Sequence, residues 1–261
     1  MNRFEGKLAV ITGAARGIGL ATAKMISSQG GDVALIDLDH AQAQSAAAAV
    51  AAGSGRRTAG FAADVSNLAS VGQALQAIQA QLGAPNLLIH CAAITDDKLF
   101  LDSKPEDWQR IISVDLYGTL HCLHTFLPGM VERGYGRIVC MASDSARIGQ
   151  ARLSYYAAAK AGVIALVKSV AQEVGRSGVT INVVSPGATN TEMRIAREAG
   201  LLEQMGPEKY ERRQKTVLKM YPAGRIGRPD DIAGGIAFLC SDEAAWVTGQ
   251  VLSVNGGFCM P

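Results

Sequence analysis

The chain has 261 residues, 48% of them hydrophobic and 18% charged, so it has enough apolar material for a sizeable core and is not a disordered chain. Lysine and arginine outnumber aspartate and glutamate by 25 to 23, an excess too small for a protein that binds nucleic acid through bulk charge. The sequence has no run of about 18 apolar residues that could span a membrane. The five cysteines are widely spaced and form no CxxC pair, which indicates reduced thiols in a cytoplasmic protein.

Short apolar runs alternate with stretches of helical spacing along the chain. The apolar runs cover 8–11, 33–36, 87–89, 137–140, 180–184 and 251–254, with a further strand region just before Asp64; the helical stretches cover 17–29, 40–52, 67–82, 105–131, 155–176 and 229–240. The runs are almost continuously apolar, which is typical of strands buried on both faces. This order predicts an α/β protein in which helices cover both faces of a parallel sheet.

Two further features concern a helix start and a long connection. Ser103 and Glu106 have the spacing of a capping box, and Pro105 suits the first turn of the helix that follows.

Residues 188–224 are far longer than an ordinary connection of about 4–6 residues. Their apolar positions have the spacing of short amphipathic helices, which predicts a lid over a cleft; these positions are Met193, Ile195, Leu201, Leu202, Met205 and Val217.

A glycine-rich turn follows the first predicted strand and precedes the first predicted helix. It reads TGAARGIG and contains Gly13, Gly17, Ile18 and Gly19. Glycines permit a sharp turn and let a pyrophosphate approach the backbone N–H groups at a helix N-terminus. The spacing G-x-x-x-G-x-G departs from the G-x-G-x-x-G fingerprint, and many strand–helix turns use glycine for geometry alone. The position of the turn nevertheless favours a dinucleotide-binding site.

Asp37 closes the second predicted strand and bears on the choice of cofactor. An acidic side chain there accepts hydrogen bonds from the ribose hydroxyls of NAD and repels the 2′-phosphate of NADP. The alternative is an aspartate that serves only a turn or a helix N-cap. Arg16, in the glycine turn, could meet a 2′-phosphate, but Leu38 supplies no second cation. We therefore predict NAD, with NADP as the alternative, and expect Asp64 and Val65 to contact the adenine.

Tyr156 and Lys160 are four residues apart and lie on one face of a predicted helix. An ammonium beside a phenol lowers the pKa of the phenol and makes it a proton donor or acceptor near neutral pH. Ser143 lies just past the predicted strand at 137–140, where its hydroxyl could hydrogen-bond a substrate oxygen. Tyr155 has no lysine four residues later, so we assign it no catalytic role. A Y-x-x-x-K pair alone is common and is more often an ordinary helix face.

Taken together, these residues resemble the short-chain dehydrogenase/reductase family over essentially the whole chain. The matching segments are TGAARGIG at 12–19, Asp37, Asp64-Val65, Ser143, YAAAK at 156–160, Pro186-Gly187 with Thr191, and VTGQVLSVNGG at 247–257. The resemblance implies one Rossmann-type, doubly wound domain over 1–261, a nicotinamide cofactor and a homotetramer. In that family pattern Tyr156 is the acid/base, Lys160 holds the ribose and Ser143 orients the carbonyl. The nicotinamide would be held near Pro186, Gly187, Thr189 and Thr191.

The chain departs from the family pattern in two places. After the fourth strand it reads His90-Cys91-Ala92-Ala93 where the family usually has Asn-Asn-Ala-Gly, so cofactor affinity could suffer although Ala92 is retained. The active-site Asn of the family aligns with Asp115, which could join the catalytic group or merely stabilise a kink. We expect no metal site, because His90 and Cys91 lack further ligands.

The leading interpretation is an NAD-dependent oxidoreductase that interconverts a secondary alcohol and a ketone, of hydroxyacyl or cyclic type. The alternatives are a 3-oxoacyl-carrier-protein or 3-oxoacyl-CoA reductase using NADPH and a dinucleotide-binding regulatory protein that has lost turnover. Specificity would reside in the lid and in Ile94, Arg147, Ile148, Met193 and Arg194. Residues 194–219 carry seven cations and four acids, a local charge of +3. That charge favours an anionic substrate, either a small carboxylate or an acyl thioester. The alternative is that these charged residues only form the solvent-exposed face of a lid helix.

Overall fold

The computed structural model describes residues 2–260, so Met1 and Pro261, the ends of the predicted domain, lie outside it. The strands are β1 (Leu8–Thr12), β2 (Asp32–Asp37), β3 (Thr58–Ala62), β4 (Leu87–His90), β5 (Gly136–Met141), β6 (Val179–Pro186) and β7 (Val251–Val254). The helices are α1 (Gly17–Ser28), α2 (His40–Ser54), α3 (Leu68–Gln81), α4 (Pro105–Ile112), α5 (Gly118–Glu132), α6 (Ser145–Ile148), α7 (Ser154–Val174), α8 (Glu192–Met205), α9 (Pro207–Lys219) and α10 (Pro229–Cys240).

The seven strands form one parallel sheet in the order β3-β2-β1-β4-β5-β6-β7. The chain winds outward from β1 to β3, returns to the centre at β4, and then winds to the other edge. The strand order therefore reverses between β1 and β4, where ligands of open α/β sheets bind beyond the carboxyl ends of the strands. β3 lies at an edge, and its residues alternate between buried and more exposed, unlike the fully buried β1.

Helices pack on both faces of the sheet, each face with its own apolar core. One core joins the sheet to α3, α5 and α7 through residues such as Ile78, Phe126 and Val167. The other joins it to α1, α2 and α10 through residues such as Ile26 and Ile236. The doubly wound Rossmann-type α/β fold predicted from the sequence is confirmed. No helix within residues 2–260 is both long enough and apolar enough to cross a membrane.

The predicted helix 105–131 is wrong in one respect, because a π-helical turn over Ser113–Tyr117 separates α4 from α5. The Thr119 hydroxyl donates to the backbone carbonyl of Asp115 over 3.0 Å within this segment. The predicted capping box is also wrong. Ser103 donates its hydroxyl to the Phe100 carbonyl, whereas the Asp107 carboxylate accepts from the backbone N–H of Lys104 over 2.9 Å at the start of α4.

The long segment 188–224 contains α8 and α9, in keeping with the predicted amphipathic helices. Thr191 caps α8 by accepting from the backbone N–H of Arg194. Of the apolar positions predicted for this segment, Leu201 is buried, whereas Ile195 and Leu202 remain exposed. The two helices therefore bury little apolar surface of their own, and polar contacts contribute much of what joins them.

Candidate active site

The glycine turn between β1 and α1 brings backbone close to backbone. A Cβ on Gly19 would lie 2.3 Å from the carbonyl oxygen of Gly13, and a Cβ on Gly13 would lie 2.8 Å from Cα of Ala92. Gly13 also has a φ of +61°, in the left-handed region that favours glycine. Arg16 precedes α1, and no side chain of the described residues caps this helix start. The first N–H groups of α1 are thus left for an anionic ligand, as a pyrophosphate site requires.

A cleft of about 390 Å³ opens along the carboxyl ends of the strands. All residues predicted to bind the cofactor line it: Gly13, Arg16, Gly17, Ile18, Gly19, Asp37, Asp64, Val65, Ala92, Tyr156, Lys160, Pro186, Gly187, Thr189 and Thr191. Sequence reasoning missed part of the apolar lining, notably Ile36, Val114 and Met141. These residues carry no motif. Ile36 and Met141 reach the cleft from β2 and β5, and Val114 reaches it from the π-helical turn that follows α4.

Asp37 lies at the end of β2, where its carboxylate is fixed by two backbone donors. One oxygen accepts from the N–H of Ala15 over 3.0 Å and the other from the N–H of Leu38 over 2.9 Å. The N-cap of α2 is Asp39, which leaves Asp37 without a capping role. The side chain remains partly exposed in the cleft, and its neighbour Leu38 is largely exposed. Both carboxylate oxygens are therefore fixed at the edge of the cleft.

Ser143, Tyr156 and Lys160 face the same cleft from the end of β5 and from one side of α7. Burial raises the pKa of Tyr156, Lys160 opposes that effect, Asp115 adds to it, and a hydrogen bond with Ser143 lowers it. The resulting pKa of Tyr156 lies above the ordinary value for tyrosine. The charge of Lys160 thus lowers this pKa, as expected from the sequence, but burial is the larger effect and the net shift is upward.

Asp115 and Lys160 form a buried ion pair beneath the cleft. Their Oδ2 and Nζ atoms are 3.1 Å apart, and the two side chains are 0% and 1% exposed. Burial alone would lower the pKa of Lys160, but the Asp115 carboxylate and the Tyr156 phenol raise it, so the lysine is held as an ammonium. Apart from this ion pair, Nζ has no hydrogen-bond partner within residues 2–260, which leaves protons for a ribose hydroxyl.

Asp115 lies in the π-helical turn and also supports the loop after β4. Its Oδ1 accepts from the backbone N–H of Ile94 over 2.9 Å. Burial raises the pKa of Asp115, and the charge of Lys160 opposes the shift. The Asp115 carboxylate therefore supports the loop after β4 rather than the kink itself, and it contacts the lysine of the candidate catalytic group. Its part in catalysis stays a prediction.

The segment His90-Cys91-Ala92-Ala93 keeps the strands connected despite its departure from the family pattern. Nδ1 of His90 and Oγ1 of Thr12 are 2.9 Å apart, so the ring links β4 to β1. Burial lowers the pKa of His90 to about 3 and raises that of Cys91 to about 12, which leaves both groups neutral. Ala93 lines the cleft. Within residues 2–260 no group of three or more metal-ligating side chains is arranged to hold a metal ion.

A second cavity of about 210 Å³ shares Ser143 and Tyr156 with the cofactor cleft and extends beneath α8 and α9. Of the predicted substrate residues, Met193 lines both cavities, Arg194 lines the second and Ile94 lines the first. Arg147 and Ile148 line neither. Arg147 instead donates to the Ser253 hydroxyl on β7 over 2.8 Å, and Ile148 is exposed, because the single turn of α6 directs both away from the cavity.

Sequence reasoning missed an aromatic pair in this second cavity. Tyr221 and Phe258 both line it, and their rings stack with centroids 5.0 Å apart. The Tyr221 hydroxyl accepts from the backbone N–H of Ala188 over 3.0 Å, which holds the ring in place. Phe258 directly follows the matching segment 247–257, but neither residue belongs to a recognised motif. The two lie far apart in sequence, so no local pattern could have paired them.

Tyr155 belongs to a different face of α7 from Tyr156. Its hydroxyl donates to the Asp96 carboxylate over 2.6 Å, and its side chain is buried against Ile111. The adjacent Asp97 binds both Arg152, which precedes α7, and Arg197 of α8. These contacts connect the loop after β4 to the helix that covers the second cavity.

Comparison with known proteins places these features in a common scaffold. Residues 13–259 match a family model described as enoyl-(acyl carrier protein) reductase. A 3-oxoacyl-[acyl-carrier-protein] reductase of Escherichia coli K12 is 37% identical over 261 residues, with 98% of this chain and 99% of that protein covered. The crystal structure of levodione reductase superimposes with a TM-score of 0.90 at 30% identity, covering 97% and 98% of the two chains.

A further solved structure, described as ribose-5-phosphate isomerase from Brucella melitensis 16M, superimposes with a TM-score of 0.85 at 33% identity. The match covers 98% of this chain and 93% of that one. These relatives have different substrates in their names, although they share the scaffold. The scaffold therefore does not assign a substrate, which must be argued from the site.

Proposed function

Because this chain belongs to the short-chain dehydrogenase/reductase family, an oxidoreductase family that acts on CH–OH groups, we propose that it is an NAD-dependent enzyme interconverting a secondary alcohol and a ketone. The observation that carries the proposal is the position of Ser143 and Tyr156 on the wall between the two cavities. A substrate in the second cavity would thus meet a proton donor and a hydrogen-bond donor beside the cofactor.

The cofactor cleft fits a nicotinamide dinucleotide on several counts. The glycine turn and the uncapped start of α1 would hold the pyrophosphate, Asp37 the adenosine ribose, and Lys160 the nicotinamide ribose. The nicotinamide end would lie near Pro186, Gly187, Thr189 and Thr191, which line the same cleft. A bound nicotinamide supplies or accepts the hydride, which is chemistry that protein side chains lack.

The protein's contribution is orientation and proton transfer. In reduction, the Tyr156 hydroxyl donates a proton to the carbonyl oxygen, while the Ser143 hydroxyl donates a hydrogen bond to that oxygen and orients it. In oxidation, the Tyr156 phenolate takes the proton back. The Lys160 ammonium favours the phenolate, and Asp115 holds that ammonium in place from below.

A preference for NAD over NADP is part of the proposal. The Asp37 carboxylate is held by two backbone N–H groups at the end of β2, and a 2′-phosphate there would meet a fixed negative charge. Arg16 is the cation that could oppose this, since it lines the cleft and is exposed. One flexible arginine compensates only in part for the fixed carboxylate.

A second candidate is a 3-oxoacyl-carrier-protein or 3-oxoacyl-CoA reductase, favoured by the Escherichia coli relative. The third interpretation, a regulatory protein without turnover, is disfavoured because Ser143, Tyr156 and Lys160 all line the cofactor cleft. The homotetramer stays a prediction, which sedimentation would test. The role of α8 and α9 as a lid also stays a prediction, and protection of these helices from hydrogen exchange on substrate binding would test it.

A substrate screen tests the proposed function. Purified protein would be incubated with NADH or NADPH and a panel of simple ketones, cyclic ketones and 3-oxoacyl-CoA thioesters, and nicotinamide absorbance followed; the reverse reactions would use the matching alcohols. We expect turnover of a ketone with a higher kcat/KM for NADH. Turnover restricted to 3-oxoacyl thioesters with NADPH would favour the second candidate. Cofactor binding without turnover of any member of the panel would favour the regulatory interpretation.

A further inference from the structure

The second cavity contains an excess of positive charge that the proposed chemistry does not use. Arg194, Arg197 and Arg213 line it together with two acids, Asp144 and Glu198. Both Asp144 carboxylate oxygens are occupied by neutral donors, since Oδ1 accepts from Ser185 and Oδ2 from Asn255. The charged residues that line the cavity carry a formal net charge of +1. Asp144 is held by Ser185 and Asn255 and pairs with none of the three arginines.

The arginines compete for too few carboxylates. Glu198 is buried and lies 2.8 Å from Nη1 of Arg213, but 3.6 Å from Nη2 of Arg194. Gln214 also donates to the Oε2 atom that Arg213 contacts, whereas Arg194 faces Oε1 at the longer distance and so has the weaker contact with that carboxylate. Arg197 in turn shares Asp97 with Arg152. Arg194 is therefore the arginine of the cavity whose charge is least compensated by an ion pair.

Arg194 is also the best placed of the three to meet a substrate. It lies in the first turn of α8, directly after Thr191 and Met193, which line both cavities. Its side chain is only 17% exposed, and Nη1 donates to Asn190 over 2.9 Å, which fixes the orientation of the guanidinium. A fixed, partly desolvated guanidinium binds a planar anion through paired charge-assisted hydrogen bonds.

The other cations of this segment do not share this environment. Lys209, Arg212, Lys215 and Lys219 are exposed on α9 and line neither cavity. The alternative that we considered from the sequence, a solvated helix face, therefore describes these four residues. It does not describe Arg194, Arg197 and Arg213.

The size and lining of the cavity limit the rest of the ligand. A volume of about 210 Å³ exceeds the roughly 150 Å³ that accommodates benzene, so the cavity takes a ring or a short chain with one substituent. The stacked rings of Tyr221 and Phe258, with Val217 and Met220, provide an apolar wall. A net charge of +1 matches a monoanion better than a phosphate dianion.

From these observations we infer that Arg194 forms a carboxylate-binding subsite in the second cavity and that the substrate is a small ketone or secondary alcohol bearing a carboxylate. This inference rests on the proposed function, because it takes Ser143 and Tyr156 as the reacting end of the same cavity. It narrows the anionic substrate expected from the sequence to a small carboxylate, in preference to an acyl thioester.

The test compares charged and neutral forms of the same ketone. Short oxocarboxylates from 3-oxobutanoate to 6-oxoheptanoate and their methyl esters would be reduced by wild type, Arg194→Ala, Arg194→Lys and the exposed control Arg212→Ala. We expect Arg194→Ala to lower kcat/KM for the preferred acid by about 10- to 100-fold and for its ester by less than about 3-fold. Arg194→Lys should recover part of the loss, because it restores the charge without the planar fork. Arg212→Ala should match wild type.

Several results would overturn the subsite while leaving the proposed function intact. These are equal activity on acids and esters in wild type, equal losses on both in Arg194→Ala, and a preference for hydroxyacetone phosphate over every carboxylate. Equal losses accompanied by a lower unfolding temperature would mean that Arg194 only joins α8 to α9. If no ketone is reduced by wild type, the proposed function fails instead. Calorimetric titration of the oxocarboxylates then decides the subsite, which is overturned if none binds wild type more tightly than Arg194→Ala.

Discussion

Replacing Asp115 with asparagine removes a buried charge and keeps the shape of the side chain. Asparagine still offers an oxygen to the N–H of Ile94, so the loop after β4 keeps its hydrogen bond. Charges 3.1 Å apart at an effective dielectric constant of about 20 attract by roughly 5 kcal/mol, and removing one partner of a buried pair costs about 3–5 kcal/mol of stability. The variant should therefore unfold at a clearly lower temperature than wild type.

The same substitution should move the pH dependence of alcohol oxidation. Nζ of Lys160 lies 3.1 Å from Oδ2 of Asp115 and 5.7 Å from the centroid of the Tyr156 ring, so the carboxylate lies within roughly 9 Å of that centroid. At that separation its negative charge disfavours formation of the phenolate. Because Asp115 raises the pKa of Tyr156, its loss should lower that pKa while Lys160 remains protonated.

The assay is the pH profile of kcat for oxidation of the best alcohol, in which the rate rises with pH as the phenolate forms. We expect the acidic limb of Asp115→Asn to lie at lower pH than that of wild type. Asp64→Asn is the matched control, because it removes an exposed carboxylate from the same cleft. An acidic limb that stays in place, or moves to higher pH, in a folded Asp115→Asn variant would refute the electrostatic reasoning.

Three further predictions concern the cofactor site and the cover of the second cavity. Asp37→Ala should lower the ratio of kcat/KM for NAD to that for NADP by about 10- to 100-fold, measured with one alcohol; an unchanged ratio would contradict our assignment. Gly19→Ala should weaken NADH binding in a fluorescence titration, because the new methyl group would collide with the Gly13 carbonyl, whereas Gly72→Ala, which meets no atom within 4 Å, should bind normally. Asp97→Asn should raise the KM of the ketone and leave the Kd of NADH unchanged, because it releases Arg197; a change in Kd alone would contradict this.

The sequence predicts the sheet well because its central strands are buried on both faces. β1, β4 and β5 are almost continuously apolar in the chain and fully buried in the fold. β3 is less distinct in the sequence because it lies at an edge and alternates. The interruption between α4 and α5 leaves no mark in the spacing of apolar residues, since a π-helical turn changes the helical period over only one turn.

The candidate site divides between residues that motifs identify and residues that the topology assembles. The glycine turn and the pair formed by Tyr156 and Lys160 are local patterns, so they are visible in the sequence. The Asp115–Lys160 ion pair joins two distant segments, and only the alignment with a known family pointed to Asp115. The prediction that Arg147 contacts the substrate is not supported by the cavity lining, because the direction of a one-turn helix is not encoded by the spacing of residues.

The most direct test of the central claim compares Tyr156→Phe with Tyr155→Phe, two neighbouring substitutions that each remove one hydroxyl group. Hydride transfer would be followed by nicotinamide absorbance with the best ketone, and NADH affinity would be measured separately. We predict that Tyr156→Phe loses about 10²–10⁴-fold in kcat with nearly unchanged NADH affinity, because the proton donor beside the substrate is gone. Tyr155→Phe should remain active, since its hydroxyl binds Asp96 outside the cleft. Equal losses in both variants, or a fully active Tyr156→Phe, would contradict the account.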